Sequence, residues 1–255
     1  MSNILQKIKK LPNSPGVYFF LGLRKKILYI GRATSLKDRV KSYFNNHIVE
    51  SRGPLIEKML IETKDVDCVK TDSVLEAIIL EAHLIKKHQP KYNAKEKSDK
   101  SFNYVVITDE EYPRVLLVRG KDLKAKSYQL KAQFGPFPQA SVLREALKII
   151  RKIFSFRDTC VPIQHSHILK NVRMLLRRGK KETRPCFNRQ IGLCPGVCVG
   201  EISKEEYQKT IKNIILLFEG KKNILIKKLE RDMNCAARKK EFEKAGKIKK
   251  TLFAL

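Results

Sequence analysis

What this sequence lacks narrows its class before any motif is read. It has no run of roughly 18–20 apolar residues, which excludes a helix that spans a bilayer. Its opening stretch, Met1 to Pro12, has no apolar core of the kind a secretory signal needs, so a cytoplasmic setting is the default expectation. Cysteine is too sparse for a disulfide scaffold. Six residues in a reducing compartment read instead as free thiols or metal ligands. No internal repeat of long period is present, which argues against a solenoid. Acidic residues are scarce as well: 26 Asp and Glu stand against 54 Lys and Arg, a formal charge of 54 − 26 = +28. A compact body that basic repels itself, and a polyanionic partner relieves the repulsion. Nucleic acid is the leading candidate and a membrane surface the weaker one. The charge selects a partner class and not a chemistry, since a generic RNA-binding protein would carry it too.

What is present supports folded structure. With 42% hydrophobic residues the 255-residue chain can bury a core in one large domain or two to three small ones. Gly16-Val17-Tyr18-Phe19-Phe20-Leu21 and Lys26-Ile27-Leu28-Tyr29-Ile30 are β-branched and aromatic, and the short Gly22–Lys25 link suits a hairpin. Ser35 can cap the next helix, where Leu36, Val40 and Phe44 recur every four residues and Arg39 and Tyr43 share a neighbouring face. A second helix spans about Ser73 to His88, with Leu75, Ile78, Ile79, Ala82 and Ile85 on its buried arc. On that wheel Glu76 lies opposite the arc, in solvent. Glu81 lies at its edge beside Ile78 and Ile85, where a carboxylate needs a cationic or metallic partner. Pro90 ends this helix. The charged segment Lys95 to Lys100 reads as a boundary, and Tyr104–Thr108 and Arg114–Val118 read as strands. A turn is expected at Gly135-Pro136-Phe137-Pro138, an amphipathic helix over Ser141 to Phe154, and basic helical structure from Ser203 onward.

The tripeptides Gly16-Val17-Tyr18 and Tyr29-Ile30-Gly31, ten residues apart, become specific when combined with Arg39, Tyr43, Glu81 and Asn93. In that combination they resemble the signature of the GIY-YIG nucleases. The string Glu76-Ala77-Ile78-Ile79-Leu80-Glu81-Ala82-His83-Leu84-Ile85-Lys86-Lys87 through Pro90-Lys91-Tyr92-Asn93 resembles the UvrC branch of that family in particular. The resemblance implies that Glu81 holds a divalent cation (magnesium, or manganese) and that Tyr29 activates or positions the attacking water. Arg39 would neutralise the scissile phosphate, with Tyr18, Tyr43 and Asn93 shaping the site. These residue types suit phosphodiester hydrolysis: a hard cation takes oxygen ligands, and a guanidinium gives forked, permanent charge to phosphate. Tyrosine is a poor base at its usual pKa of about 10, so Arg32, Arg39 and the cation would have to lower it. Where the family commonly has Lys after the second tripeptide, this chain has Arg32, which serves a phosphate contact but not a proton transfer. The Tyr43–Glu81 linker also looks longer than usual and reads as a loop insertion.

Cys160, Cys186, Cys194 and Cys198 cluster with 25, 7 and 3 residues between them, which by spacing alone suits tetrahedral zinc or an iron–sulfur cluster equally. The surrounding residues, Arg184 to Asn188 and Ile191 to Gly200, resemble the cysteine region of UvrC, and the resemblance implies a [4Fe-4S] cluster. The long first gap leaves Cys160 open to replacement by His165 or His167, while Cys68 and Cys235 read as isolated thiols. From Leu229 to Leu255 the chain resembles part of a UVR motif, a helical hairpin that implies a UvrB partner.

Together these readings give an α+β chain. A small mixed α/β nuclease domain covers 1–97 and a β-containing connector 98–145. A cysteine region (146–202) and a basic helical tail (203–255) follow. The RNase H-like domain and helix-hairpin-helix repeats of UvrC are not in this sequence, so the expectation is a truncated or stand-alone 3′-side nickase comparable to short Cho-type homologues, acting on lesion-bearing duplex with UvrB and, indirectly, UvrA. The rivals are a non-catalytic adaptor that binds DNA and UvrB, which Arg32 favours, and a mobile-element nuclease, against which the cysteine region and tail argue.

Overall fold

The computed structural model describes residues 2–44, 53–93, 102–125, 129–137, 139–162 and 185–255. They form two compact units, Met1–Asn103 with Gly135–Pro138, and Tyr104–Phe134 with Gln139–Leu255. Mixed α/β structure and a helical C-terminal region match the expected class.

In the first unit α1 (Ser2–Lys10) precedes a three-stranded antiparallel sheet ordered β2-β1-β3, from β1 (Gly16–Leu21), β2 (Ile27–Ala33) and β3 (Asp65–Lys70). β1 is central and all six of its residues are buried, which is why it reads as an uninterrupted apolar run. Alternation sends its side chains to two cores. Tyr18 and Phe20 enter one with Ile4, Ile8, Met59 and three side chains from α2 (Leu36–Lys41) and the turn after it: Leu36, Val40 and Tyr43. Val17, Phe19 and Leu21 enter the other with Ile30, against Ala77, Leu80 and Leu84 of α4 (Val74–His88). Both helix starts are capped as expected: Ser35 accepts from the Asp38 amide and Ser73 from that of Glu76.

Three elements of the first unit escape the sequence reading: α1, α3 (Pro54–Glu62) and β3. The linker taken for a loop insertion therefore carries α3 and the third strand. β3, Asp-Val-Asp-Cys-Val-Lys, is too polar to announce itself and owes its conformation to pairing with β1 from an exposed edge. Glu76 is not simply solvated. It is half-buried and accepts from the Asp72 amide at 3.0 Å, completing the cap of α4. The segment 95–100 lies outside the described residues.

In the second unit β4 (Asn103–Thr108), β5 (Val115–Arg119) and β6 (Leu130–Phe137) form a sheet ordered β5-β4-β6, with α5 (Gly120–Ala125) after β5. The turn expected at Gly135 is instead the end of β6, an edge strand, where a proline's missing N–H is tolerated. Next come α6 (Ala140–Ile153), the short α7 (Phe187–Gln190), α8 (Lys204–Phe218), α9 (Lys222–Arg238) and α10 (Phe242–Phe253). Tyr207 of α8 is buried. Its hydroxyl donates to the Pro113 carbonyl at 2.7 Å and accepts from the Arg157 amide at 2.9 Å. α9 and α10 pack on each other across a three-residue link, so the two-helix hairpin expected only in part is present as a pair. Among the described residues no helix is long and apolar enough to cross a membrane.

Gly16 has a steric reason to be glycine: a Cβ there would overlap the Val69 carbonyl and come within 2.7 Å of the Leu36 side chain. Gly16→Ala is expected to lower stability by about 1–3 kcal/mol through overpacking, measured by denaturant unfolding, with the sheet register retained by amide exchange.

Candidate active site

β2 lies at the edge of its sheet, and its outward backbone groups are satisfied without another strand. The Tyr92 amide donates to the Leu28 carbonyl at 3.0 Å. The Asn93 side chain then spans Ile30, accepting from its N–H at 2.8 Å and donating to its carbonyl at 2.7 Å. Glu81 accepts from the Arg32 N–H at 3.2 Å. The residue expected to shape the site is thus a clamp on the strand that carries Tyr29.

On one face of β2, Tyr29 and Gly31 stand opposite Phe20 and Tyr18 of β1. The Tyr18 and Tyr43 hydroxyls are 2.8 Å apart, and the Tyr18, Tyr29 and Tyr43 rings lie with centroids 5.9–6.3 Å from one another. Phe20, which the sequence reading did not single out, wedges among them with its centroid 5.0 Å from that of Tyr43. Gly31 makes this possible, because a Cβ would overlap the Tyr18 phenol and approach the Tyr29 ring to 2.9 Å. Arg39 is exposed and holds its guanidinium 5.7 Å from the centre of the Tyr43 ring.

Arg32 and Glu81 belong to the other side of the strand. Glu81 is 6% exposed, and its Oε2 takes an ion pair from Arg32 Nη1 at 2.5 Å. The partner demanded by its place on the helical wheel is therefore the guanidinium two residues after Ile30. Burial nevertheless raises the Glu81 carboxyl above its ordinary range, against the opposing pull of Arg32 and Arg39. Tyr29 moves the same way. Burial, then Tyr43 and Glu81, push its phenol well above the usual value, and Arg39 does not compensate. Of the charges expected to lower it, Arg39 does so and is outweighed by desolvation. Tyr18 is raised as well, first by burial and then by its two tyrosine neighbours.

A single buried carboxylate fits a hard cation that keeps most of its waters, although Arg32 competes for the same oxygens. Among the described residues the grouping of metal-ligating side chains lies elsewhere, in the second unit. There the sulfurs of Cys160, Cys186 and Cys198 are within 4.8 Å of one another. The Cys160 thiol donates to Cys194. That bond, with the Gly196 and Val197 amides and against the effect of burial, brings Cys194 down to about 6. Three of the four expected cysteines, Cys160 included, converge within that distance, and Cys194 joins them through its bond with Cys160. His165 and His167 lie outside the described residues, and Cys68 and Cys235 stand apart, half-buried and exposed respectively.

Comparison with known proteins gives three consecutive matches. Residues 14–94 match the UvrC-like GIY-YIG domain, 102–217 the UvrC/Cho excinuclease middle domain, and 223–255 the UvrB/UvrC motif. The UvrABC system protein C of Desulforudis audaxviator is 37% identical over 98% of this chain, which covers 37% of that protein. That of Carboxydothermus hydrogenoformans is 39% identical over 98% of the chain and 38% of the relative. The chain thus spans little more than a third of the length of these relatives. Among solved structures, the GIY-YIG N-terminal endonuclease domain of UvrC from Thermotoga maritima bound to its catalytic divalent cation, magnesium, is 35% identical. It covers 37% of this chain and 99% of its own, with a TM-score of 0.33.

Asn93→Ala leaves the Ile30 N–H and carbonyl without partners. A loss of about 1–3 kcal/mol is expected in denaturant unfolding, with faster amide exchange at Ile30 and unchanged exchange in β3. Equal loosening of β2 and β3 would show that Asn93 acts on the whole sheet rather than on the strand edge.

Proposed function

The chain carries the domain series of the UvrC family, and from that premise we propose that it is a DNA endonuclease of nucleotide excision repair that incises on the 3′ side of a lesion. The observation that supports this most directly is the gathering of Tyr18, Tyr29, Arg39 and Tyr43 around one strand edge closed by Glu81 and Arg32. When bound at Glu81, magnesium or manganese supplies Lewis-acid charge to the phosphodiester.

The side chains divide the remaining work. Arg39, exposed at the rim, takes the scissile phosphate in a forked charge-assisted contact. Tyr29 arrives protonated, so its phenol orients the attacking water instead of entering as a ready-made base. Tyr18 and Tyr43, joined through their hydroxyls, hold that phenol in line and keep the floor of the site dry. Arg32 turns from Glu81 toward phosphate as substrate enters, a contact that asks only for permanent charge. Asn93 fixes the strand beneath all of them.

In the second unit the four cysteines would hold a [4Fe-4S] cluster, with zinc as the alternative on the same thiolates; one thiol already favours ionisation, which suits either. The α9–α10 hairpin would bind UvrB, which presents the lesion duplex loaded by UvrA. Phe242 and Phe253 stand exposed on it, as a partner-seeking hairpin requires. A cytoplasmic site of action goes with this chemistry.

A second reading, an adaptor that binds DNA and UvrB without cutting, is favoured by one observation: Arg32 already engages the carboxylate a cation would need. The test is a 5′-labelled and a 3′-labelled lesion duplex preloaded with UvrA and UvrB, with magnesium. One magnesium-dependent cut 3′ to the lesion is expected, reduced at least a thousandfold in Glu81→Ala. Cutting that survives this substitution at full rate would sink the site. Binding without cutting in the wild type, with incision gained in Arg32→Lys, would establish the adaptor.

The raised Glu81 carboxyl sets the pH dependence. As pH falls toward that value the group takes up a proton earlier than an ordinary glutamate and loses its hold on any cation. Incision should therefore decline on the acid side above the ordinary Glu range, and higher magnesium should move the limb to lower pH. A limb at the ordinary Glu value, indifferent to magnesium, would contradict the assignment.

A further inference from the structure

The second unit contains a cavity of about 630 Å³ that neither the nuclease chemistry nor the cysteine group uses. Its floor is apolar, from Leu116 and Leu117 of β5, Leu147 of α6, Phe156 and Leu193. Its rim is cationic. Arg144, Lys148 and Lys152 follow one another every four residues along α6, all exposed and all at the cavity. Four residues of helix advance the stripe by about 6 Å, a step comparable to that between successive phosphates of an extended strand.

Arg151 forms the wall between rim and floor. It donates to the Leu193 carbonyl at 2.9 Å, pairs with Asp158 at 2.7 Å, and lies 5.1 Å from the centre of the Phe156 ring. Its remaining terminal nitrogen is buried with no hydrogen-bond partner among the described residues, so the wall holds an unsatisfied donor. The negative charge of Asp158 is spent on this arginine, which leaves the three rim cations to set the local field.

We propose that this groove binds single-stranded DNA, seating an unpaired base on the apolar floor while Arg144, Lys148 and Lys152 take the phosphates on either side. Charge complementarity alone would accept a duplex. The floor decides against it, because a paired base shows its edge and not its face, and duplex phosphates would gain nothing from Leu116, Leu147 and Phe156. A base with an unpaired π-face gains from such a surface whatever its identity, and a cavity of this size admits one nucleotide. The inference goes beyond the incision reading and does not rest on it, since it concerns binding by the second unit with no bond broken.

The test uses the full chain in magnesium-free buffer, with fluorescein-labelled oligothymidylate and a duplex of equal length, followed by anisotropy across a salt series. Arg144→Ala/Lys148→Ala/Lys152→Ala replaces only exposed side chains. It is expected to weaken oligothymidylate binding at least tenfold and to shallow the log–log salt slope by about 2, three contacts at ≈ 0.7 each. Leu147→Trp keeps every charge and fills the groove. It should weaken single-strand binding about fivefold, with the salt slope and duplex affinity unchanged and the fold checked by circular dichroism. A charge-matched control, Lys227→Ala/Arg231→Ala/Lys239→Ala on the hairpin, should do neither. Loss in the control equal to that in the α6 triple variant, or equal loss for duplex and single strand, would overturn the proposal by showing general charge attraction. The α6 triple variant decides the matter alone if Leu147→Trp does not fold.

Discussion

The first unit depends on how one strand edge is closed. A three-stranded sheet has two edges, and β2 presents a row of N–H and carbonyl groups that no further strand pairs among the described residues. In this fold the row is answered by three different means: a backbone amide at Tyr92, a two-point amide side chain at Asn93, and a carboxylate at Glu81. Each comes from α4 or the turn that follows it, so the C-terminal half of that helix is fixed to the strand by hydrogen bonds as well as by the apolar contacts of Leu80 and Leu84. Edge closure and site construction are one arrangement. The groups that keep β2 from pairing with another chain also gather a carboxylate, an aromatic cluster and a guanidinium about one strand.

That arrangement has an electrostatic consequence. Tyr18, Tyr29 and Tyr43 are polar at one end only, and packing their rings around Phe20 and Gly31 brings three hydroxyls together in a poorly solvated place. Burial then holds Tyr18 and Tyr29 in the protonated form and raises Glu81 in the same direction. A site of this kind favours neutral phenols and needs cationic charge brought to it. Arg39 at the rim and Arg32 on the strand are its permanent cations, and the large positive excess of the whole chain draws a polyanion toward them.

Much of this was legible in the residues. The hairpin, both capped helices, the amphipathic α6, the basic helical run that holds α8 and the placement of Glu81 at the edge of an apolar arc follow from local patterns, and the structure places them there. The misses have a common physical origin. β3 is half polar and gains its strand conformation from β1, so no local pattern could announce it. α1, with only a few apolar side chains among lysines, is held by burying Ile4 and Ile8 in a core assembled from distant segments. The weight of burial on Tyr29 was not legible, because charge neighbours are visible in a sequence whereas desolvation is a property of the packed site. Asn93 was recognised by resemblance, but its clamp on Ile30 spans 63 residues and has no local signature.

Arg32 shows how one substitution can change the logic of a site without changing its charge. A lysine over Glu81 would be a single rotatable point charge, whereas the guanidinium is a permanently charged fork. Its pair with Glu81 is broken only by offering each partner something better: a cation to the carboxylate, a phosphate to the arginine. Either exchange alone strands a charge in a poorly solvated place, which is costly, whereas both together leave every charge matched. Under the proposed function, cation and DNA backbone would therefore be coupled ligands at this pair, each taken more readily when the other is present.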